Sequence, residues 1–434
     1  MRAKQDTEAV AAGTDGDAVR SRESGRAVTS LLTSAMAFSM LQLFLIGALG
    51  PRLVAEWGIS RTVLGLTTTA GFGAAAVLSP VAGRLVDRVG PRRCLVALLL
   101  LAAVSLALIG AAPGAASLLS AVALGGLPQA LANPATNKVI LAAVPAARRG
   151  GVTGLKQSGV QVGAFAAGLP LSVLAAGVGW RGAVWTAAGA AALAAVWAAR
   201  VLPPDAAAPA PGRRPASPPH GVTRRLAVFS LLLGCGIASV NTYLALFGSQ
   251  QLGLAPTTAA ALVAVLGVAG IGGRVGWSRA AGRPGRAEAL PALLAVGAVG
   301  AALLLAVAVL VHPLVWVAAI AVGSFAVSAN AVSMVLVMQR AAPGRAGQDS
   351  ALVSAGFFAG FAVGPPLFGG LVSASGYWPG WLLVAAEFAA AAVVAVPLMS
   401  RRRREAERES ERGSGRGSGR GSGREPKSGS GEQR

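Results

Sequence analysis

Long apolar runs, each near the roughly 20 residues needed to cross a bilayer, alternate with short polar stretches along the 434 residues. They fall at 28–50, 61–82, 94–112, 115–140, 153–176 and 181–200, then at 226–248, 256–277, 288–311, 313–338, 350–374 and 378–399. Within each run the apolar residues are continuous rather than alternating. That predicts helices and argues against an outer-membrane barrel. The pattern predicts an all-α integral membrane protein of twelve spans, an even number that puts both termini on one side.

The two sets of six repeat each other. At an offset of 197 residues, Gly126 falls on Gly323, Asn133 on Asn330, Arg148 on Arg345 and Gly150 on Gly347. Leu155 then meets Leu352, Gly159 meets Gly356, Gly163 meets Gly360 and Gly179 meets Gly376, with no gap. At an offset of 195, Gly58 meets Gly253, Arg84 meets Arg279, Arg88 meets Arg283 and Gly90 meets Gly285. A chain with 58 glycines aligns glycines easily. The asparagine and arginine matches and the equal number of spans are what make this a repeat. It predicts two six-helix bundles in the same orientation, related by pseudo-two-fold symmetry about an axis along the membrane normal.

Composition and charge place the ends. Hydrophobic residues are 54% and charged residues 13%, against roughly 25% charged in a soluble domain. The connections after spans 1, 3, 5, 7, 9 and 11 carry only Arg52, Arg61 and Arg181 as basic residues; the other 35 of 38 Lys and Arg sit in the tails, the alternate connections or the span ends beside them. Positive charge collects on the cytoplasmic side, so a multi-pass protein of the cell membrane with both termini cytoplasmic is expected. The net charge of +21 is then topology and calls for no nucleic-acid partner. Richness in Ala, Arg and Gly, with short loops, points to a bacterial source.

Residues 1–27 mix five basic and five acidic side chains without an apolar core, so they read as a cytoplasmic tail and not a cleavable signal. Residues 28–201 and 226–399 form the two bundles. Between them, 202–225 holds seven prolines and four arginines, a proline-stiffened cytoplasmic loop. Residues 400–434 carry eleven basic residues and a Gly-Ser-Gly-Arg repeat, a tail expected to be disordered. Its arginines either meet anionic headgroups of membrane lipid or serve only to anchor topology. Cys94, Cys235, His220 and His312 are scattered, so no disulfide, metal site or cofactor is expected.

Residues 83–93 form a dense charged loop between spans 2 and 3. Gly83, Leu85, Asp87, Arg88, Gly90, Arg92 and Arg93 match the pattern G-x-L-x-D-R-x-G-x-R-R, and the chain thereby resembles the major facilitator superfamily of secondary transporters. The position matching Asp87 in the second copy is Gly282, so a latch built on this acid exists only once. Span 5 carries Gly159 and Gly163 with Pro170; span 11 carries Gly356, Gly360 and Gly364 before Pro365 and Pro366. Glycines four apart let a neighbouring backbone pack closely. These stretches resemble the helix-5 and helix-11 gating pattern of the superfamily.

The resemblance implies that helices 1, 4, 7 and 10 line a central cavity. Polar groups there are costly unless partnered or used. Gln129, Asn133 and Asn137 lie four apart on one face of span 4. Asn330 is the repeat-equivalent of Asn133, Asn241 and Tyr243 lie in span 7, and Gln42 with Ser39 lies in span 1. The competing reading for each is a hydrogen bond between helices. Lys156, about one turn inside span 5, either gives the cavity a positive field or extends to the interface, as Lys138 does at the inner end of span 4. Glu387 is the one acid deep in a span; it is the candidate for proton coupling, or a buried structural carboxyl in a peripheral helix.

These expectations add up to a carrier working by alternating access, not an enzyme: two distant histidines supply no nucleophile–base pair. The run from Asn133-Pro134 through Lys156, Gln157, Ser158 and Gly159 is similar to cyanate permeases and organic-anion carriers of the superfamily. It implies a small organic or inorganic anion as substrate and a monomer as the working unit. An efflux pump for lipophilic compounds is the rival within the fold, and a non-transporting membrane sensor the rival outside it.

Overall fold

The computed structural model describes residues 2–205, 221–281, 288–340 and 346–417. Every regular element among them is an α-helix. The first half contains α1 (Arg2–Trp57), α2 (Arg61–Val89), α3 (Pro91–Ala111), α4 (Ala115–Leu124), α5 (Gly126–Ala143), α6 (Ala146–Gly168) and α7 (Pro170–Val201). The second contains α8 (Gly221–Gln250), α9 (Pro256–Ala281), α10 (Leu290–Val307), α11 (Leu314–Ser324), α12 (Ala326–Arg340), α13 (Ala346–Ser375) and α14 (Tyr377–Gly417).

Eleven helical stretches among the described residues are long and apolar enough to cross a membrane. The expected fifth span, 153–176, is not one of them. It is divided between α6 and the start of α7 and carries Lys156, Gln157 and Gln161. Leu169, at φ −122° and ψ −73°, interrupts the helix, and Pro170 opens the next turn, where its missing N–H costs nothing. Spans 4 and 10 are also broken, at Gly125 and at Phe325. The expected boundary at 399 is passed as well, since α14 runs on to Gly417. Arginine and glutamate alternate at helical spacing from Arg401 to Glu411, and both are good helix formers. Residues 418–434 of that tail and 206–220 of the central loop lie outside the described residues.

The repeat is legible in backbone geometry. Five described glycines have positive φ, and four of them are two repeat pairs. Gly58 and Gly253 stand at 61° and 68°, Gly179 and Gly376 at 78° and 84°. Each supplies the left-handed turn that reverses the chain between antiparallel spans. Gly179 sits inside α7, where it separates span 5 from span 6.

Packing within the halves repeats too. A Cβ on Gly159 or Gly163 would meet the backbone of Thr33 or Ala37 in span 1; one on Gly356 or Gly360 would meet Ala227 or Leu231 in span 7. Likewise Gly126 abuts Gly71 of span 2 and Gly323 abuts Leu266 of span 8. Small residues thus let spans 5 and 1, and 11 and 7, approach to backbone contact. Outside, large apolar side chains stay exposed at helical spacing, as Leu100, Val104 and Leu108 do on α3. Such a stripe is what lipid would cover.

The halves meet along α1–α8, α2–α13 and α6–α9. Their contacts concentrate at the end remote from the termini. There Arg61 donates from Nε to Gln250 (3.0 Å) and from Nη1 to the Val372 carbonyl (3.4 Å), and it stacks 5.1 Å above the Tyr377 ring. Arg52 reaches Thr257 at 3.4 Å, and Thr68 meets Thr242 at 3.0 Å. Further in, Phe72 packs on Phe358 and Phe361 with centroids 5.7 and 4.6 Å away.

Candidate functional site

Lys156 is fully buried. Its Nζ donates to Asn137 Oδ1 at 2.7 Å, Thr136 Oγ1 at 2.9 Å and Asn133 Oδ1 at 3.3 Å. An ammonium has three N–H groups, and these three oxygens match them. Positions 133, 136 and 137 share one face of α5 because they are three and four apart. Gln157 adds a second donor to Asn133 Oδ1, at 3.2 Å. All four acceptor groups are neutral, and no carboxylate is among the lysine's partners in the described residues. A buried charge compensated only by dipoles is expensive, and such a group inside a span is a functional candidate by default.

A second polar group lies deeper. Gln42 and Gln129 line a small cavity together with Thr67, Thr68, Gly71 and Phe72. Gln42 is committed to packing: its Nε2 donates to the Val122 carbonyl (3.3 Å) and its Oε1 lies 2.9 Å from Ser105 Oγ. The break at Gly125 serves this contact, since a Cβ there would overlap the Gln42 carboxamide. Gln129 differs. It is buried, yet both atoms of its amide lack a partner among the described residues. Asn241 Oδ1 and Asn330 Oδ1 are also buried and unpartnered. Free amides from spans 4, 7 and 10 are available to a ligand that both donates and accepts.

Tyr243 leaves the expected set. It is fully buried, and its hydroxyl donates to the Pro365 carbonyl (3.0 Å) and to that of Arg61. It therefore belongs to the seam between the halves in this arrangement and does not face a cavity. Pro365 belongs to the same seam, and Gly364 packs on Cys235. Glu387 is half-buried in α14 with Oε2 unpartnered.

The charged loop turns inward on its own half. Gly90, at φ 98°, starts α3. The backbone N–H groups of Arg92 and Arg93 donate to the Asp205 carboxylate at 2.8 and 3.0 Å, and the Arg92 guanidinium reaches the Ala199 carbonyl. Asp205 thereby caps α3 from the end of span 6, filling an N-terminus that Pro91 leaves without a side-chain cap. Arg88 is exposed, and Gly83 has open space where a Cβ would be. The side chain of Asp87 and residues 282–287, which hold its repeat-equivalent Gly282, lie outside the described residues.

One residue escaped the sequence reading. Arg274, in α9, donates from Nη1 to the Gln157 carbonyl at 2.8 Å, and its Nε is buried without a partner among the described residues. The available signal was a lone arginine among the glycines of an apolar span.

Two helical halves whose polar groups face each other across a seam closed at one end define a membrane carrier, not a soluble binder or an enzyme. The major facilitator superfamily family model matches residues 31–352, and the chain belongs to that superfamily of secondary transporters, which work by alternating access. Solved structures agree on the fold. A bacterial homologue of the human lysosomal transporter Spinster, inward-facing and unoccupied, superposes with a TM-score of 0.62 at 15% identity over 86% of this chain and 95% of that one. Its occupied inward-facing form gives 0.63 at 16%, over 86% and 95%. A mutant of the nucleoside transporter NupG gives 0.66 at 12%, over 86% and 99%. No curated protein matches the chain.

Proposed function

We propose that this carrier moves a small organic or inorganic anion across the cell membrane of a bacterium, with both termini in the cytoplasm. Lys156 carries the reading: a buried cation held only by neutral oxygens, with room in its charge balance for a negative ligand. The similarity of the run around it to cyanate permeases and organic-anion carriers points the same way. Asn133 and Asn137 position the ammonium, and Gln129, Asn241 and Asn330 supply the remaining donors and acceptors. Gln42 shapes the cavity wall.

The charge distribution supports the orientation, since 35 of 38 basic residues lie on the side of the termini or beside it. With that orientation the Arg61 seam closes the outer side and the arrangement is inward-facing. Residues 28–201 and 226–399 act as the two moving bodies, linked by 202–225 and rocking about the midplane. The 83–93 motif stiffens the cytoplasmic face of the first body through Asp205. Glu387 is the group we assign to a coupling proton, the terminal arginines meet anionic lipid, and a monomer is the working unit.

Uptake of radiolabelled formate, acetate and cyanate into proteoliposomes tests this. Wild type should accumulate one of them, and Lys156→Gln should lose that uptake while keeping its thermal midpoint. Equal uptake by Lys156→Gln would sink the reading. A second reading, efflux of lipophilic compounds, draws on the cluster of Phe72, Phe357, Phe358 and Phe361 along the seam. It predicts extrusion of a lipophilic dye that Lys156→Gln leaves unchanged.

A further inference from the structure

The anion reading leaves Arg274 unused. Arg274 sits on the face of α9 that presses against α6, at helical spacing from Gly267 and Gly270, which abut Gln161 of α6. Its Nη1 bond ends on the carbonyl of Gln157, the residue after Lys156. The two cations thus come from adjacent helices of opposite halves. Lys156 lies three residues inside the start of span 5, and Arg274 three residues before the end of span 8, so they stand at matching depth.

A guanidinium holds five N–H donors in a rigid plane and stays charged when buried. One of the five is accounted for here. The edge formed by Nε and Nη2 is an edge that takes a carboxylate or oxyanion in a two-bond pair, and Nε is buried with no partner among the described residues. Neither cation has a carboxylate among its partners there. A monoanion would neutralise one of two buried positive charges and leave the other uncompensated, which is unfavourable at low dielectric.

We infer that Arg274 is a second substrate-binding group and that the site between spans 5 and 8 takes a dianion, a short dicarboxylate or a divalent oxyanion. One negative end meets Lys156 and the other the Nε–Nη2 edge of Arg274. This rests on the anion reading above and adds its valence. Because the two cations belong to different halves, the bound dianion bridges them and carries charge neutralisation from one body to the other.

The test is isothermal titration of the detergent-purified full chain with acetate, malonate, succinate and sulfate, at matched ionic strength. Wild type should bind a divalent probe at least about tenfold tighter than acetate, as expected for an added charge-assisted pair. Malonate or succinate against sulfate separates a dicarboxylate site from an inorganic one. Arg274→Gln should reduce the divalent preference to about threefold or less while keeping acetate binding through Lys156. Arg274→Lys, which keeps charge without the fork, should fall between, and its thermal midpoint reports folding independently. If Arg274→Gln and Arg274→Lys both keep the wild-type preference for divalent probes, or wild type binds acetate as tightly as malonate, succinate and sulfate, the dianion assignment falls and the anion reading stands. If wild type binds none of the four, both fall.

Discussion

Adding one methyl group at three glycines of α6 should give three different results. A Cβ at Gly154 has nothing within 4 Å. Gly154→Ala therefore keeps the packing and gains the helix propensity that glycine lacks, about 0.5–1 kcal/mol. At Gly163 the new carbon would lie 3.0 Å from the Ala37 carbonyl oxygen, a few tenths of an ångström too close. Here the propensity gain and the slight crowding nearly cancel. At Gly159 it would overlap the Thr33 carbonyl, with the carbonyl carbon at 2.9 Å and Cα at 3.1 Å. Thr33 is helical backbone and cannot rotate away, so spans 1 and 5 must separate, at about 1–3 kcal/mol. Thermal unfolding in detergent should rank the variants Gly154→Ala above wild type, Gly163→Ala near it and Gly159→Ala below. The repeat predicts the same loss for Gly356→Ala, against Ala227 of span 7. A Gly159→Ala protein as stable as Gly154→Ala would refute the claim that backbone contact sets the spacing of these helices.

Two further outcomes follow from single contacts. Arg61→Gln removes the bonds to Gln250 and Val372 and the stack on Tyr377, so the population should shift about tenfold toward the state open at that end. Maleimide labelling of Thr68→Cys, in a background with Cys94 and Cys235 replaced by alanine, should then accelerate; an unchanged rate would remove Arg61 from the seam. Asp205→Ala deprives α3 of its only side-chain cap and should lower stability by about 0.5–2 kcal/mol, read as a shifted denaturation midpoint. No shift would mean that water replaces the carboxylate at no cost.

Much of the architecture is visible in the one-dimensional pattern because a membrane constrains it so strongly. Backbone polar groups must be satisfied within each span, so long apolar runs read as helices and basic residues mark one side. The repeat at 197 residues was legible through glycines such as Gly179 and Gly376, and their matching positive φ explains why those positions tolerate no other residue easily. Gly159 and Gly356 were legible for the same reason, since small residues four apart announce a close helix contact. Helix breaks at Gly125 and Leu169 were not, because each depends on what a neighbouring span presents or on how the chain restarts.

For the site, the sequence alone marked Gln129, Asn133, Asn137, Lys156 and Asn330 as polar residues where polarity is costly. It could not say which of them spend their hydrogen bonds on packing. Gln42 and Tyr243 carry the same one-dimensional signal as Gln129 and Asn241. Yet the first two are saturated by spans 3, 4, 2 and 11, while the other two keep unpartnered amide atoms. Lys156 could equally have stretched to the interface; three oxygens of α5 hold it inside instead. Span identity, topology and repeat depend on residue type and local spacing, which the chain states directly. Partner choice among polar groups depends on the rotation of each helix about its axis and on contacts more than a hundred residues apart, and only packing of the two halves decides those.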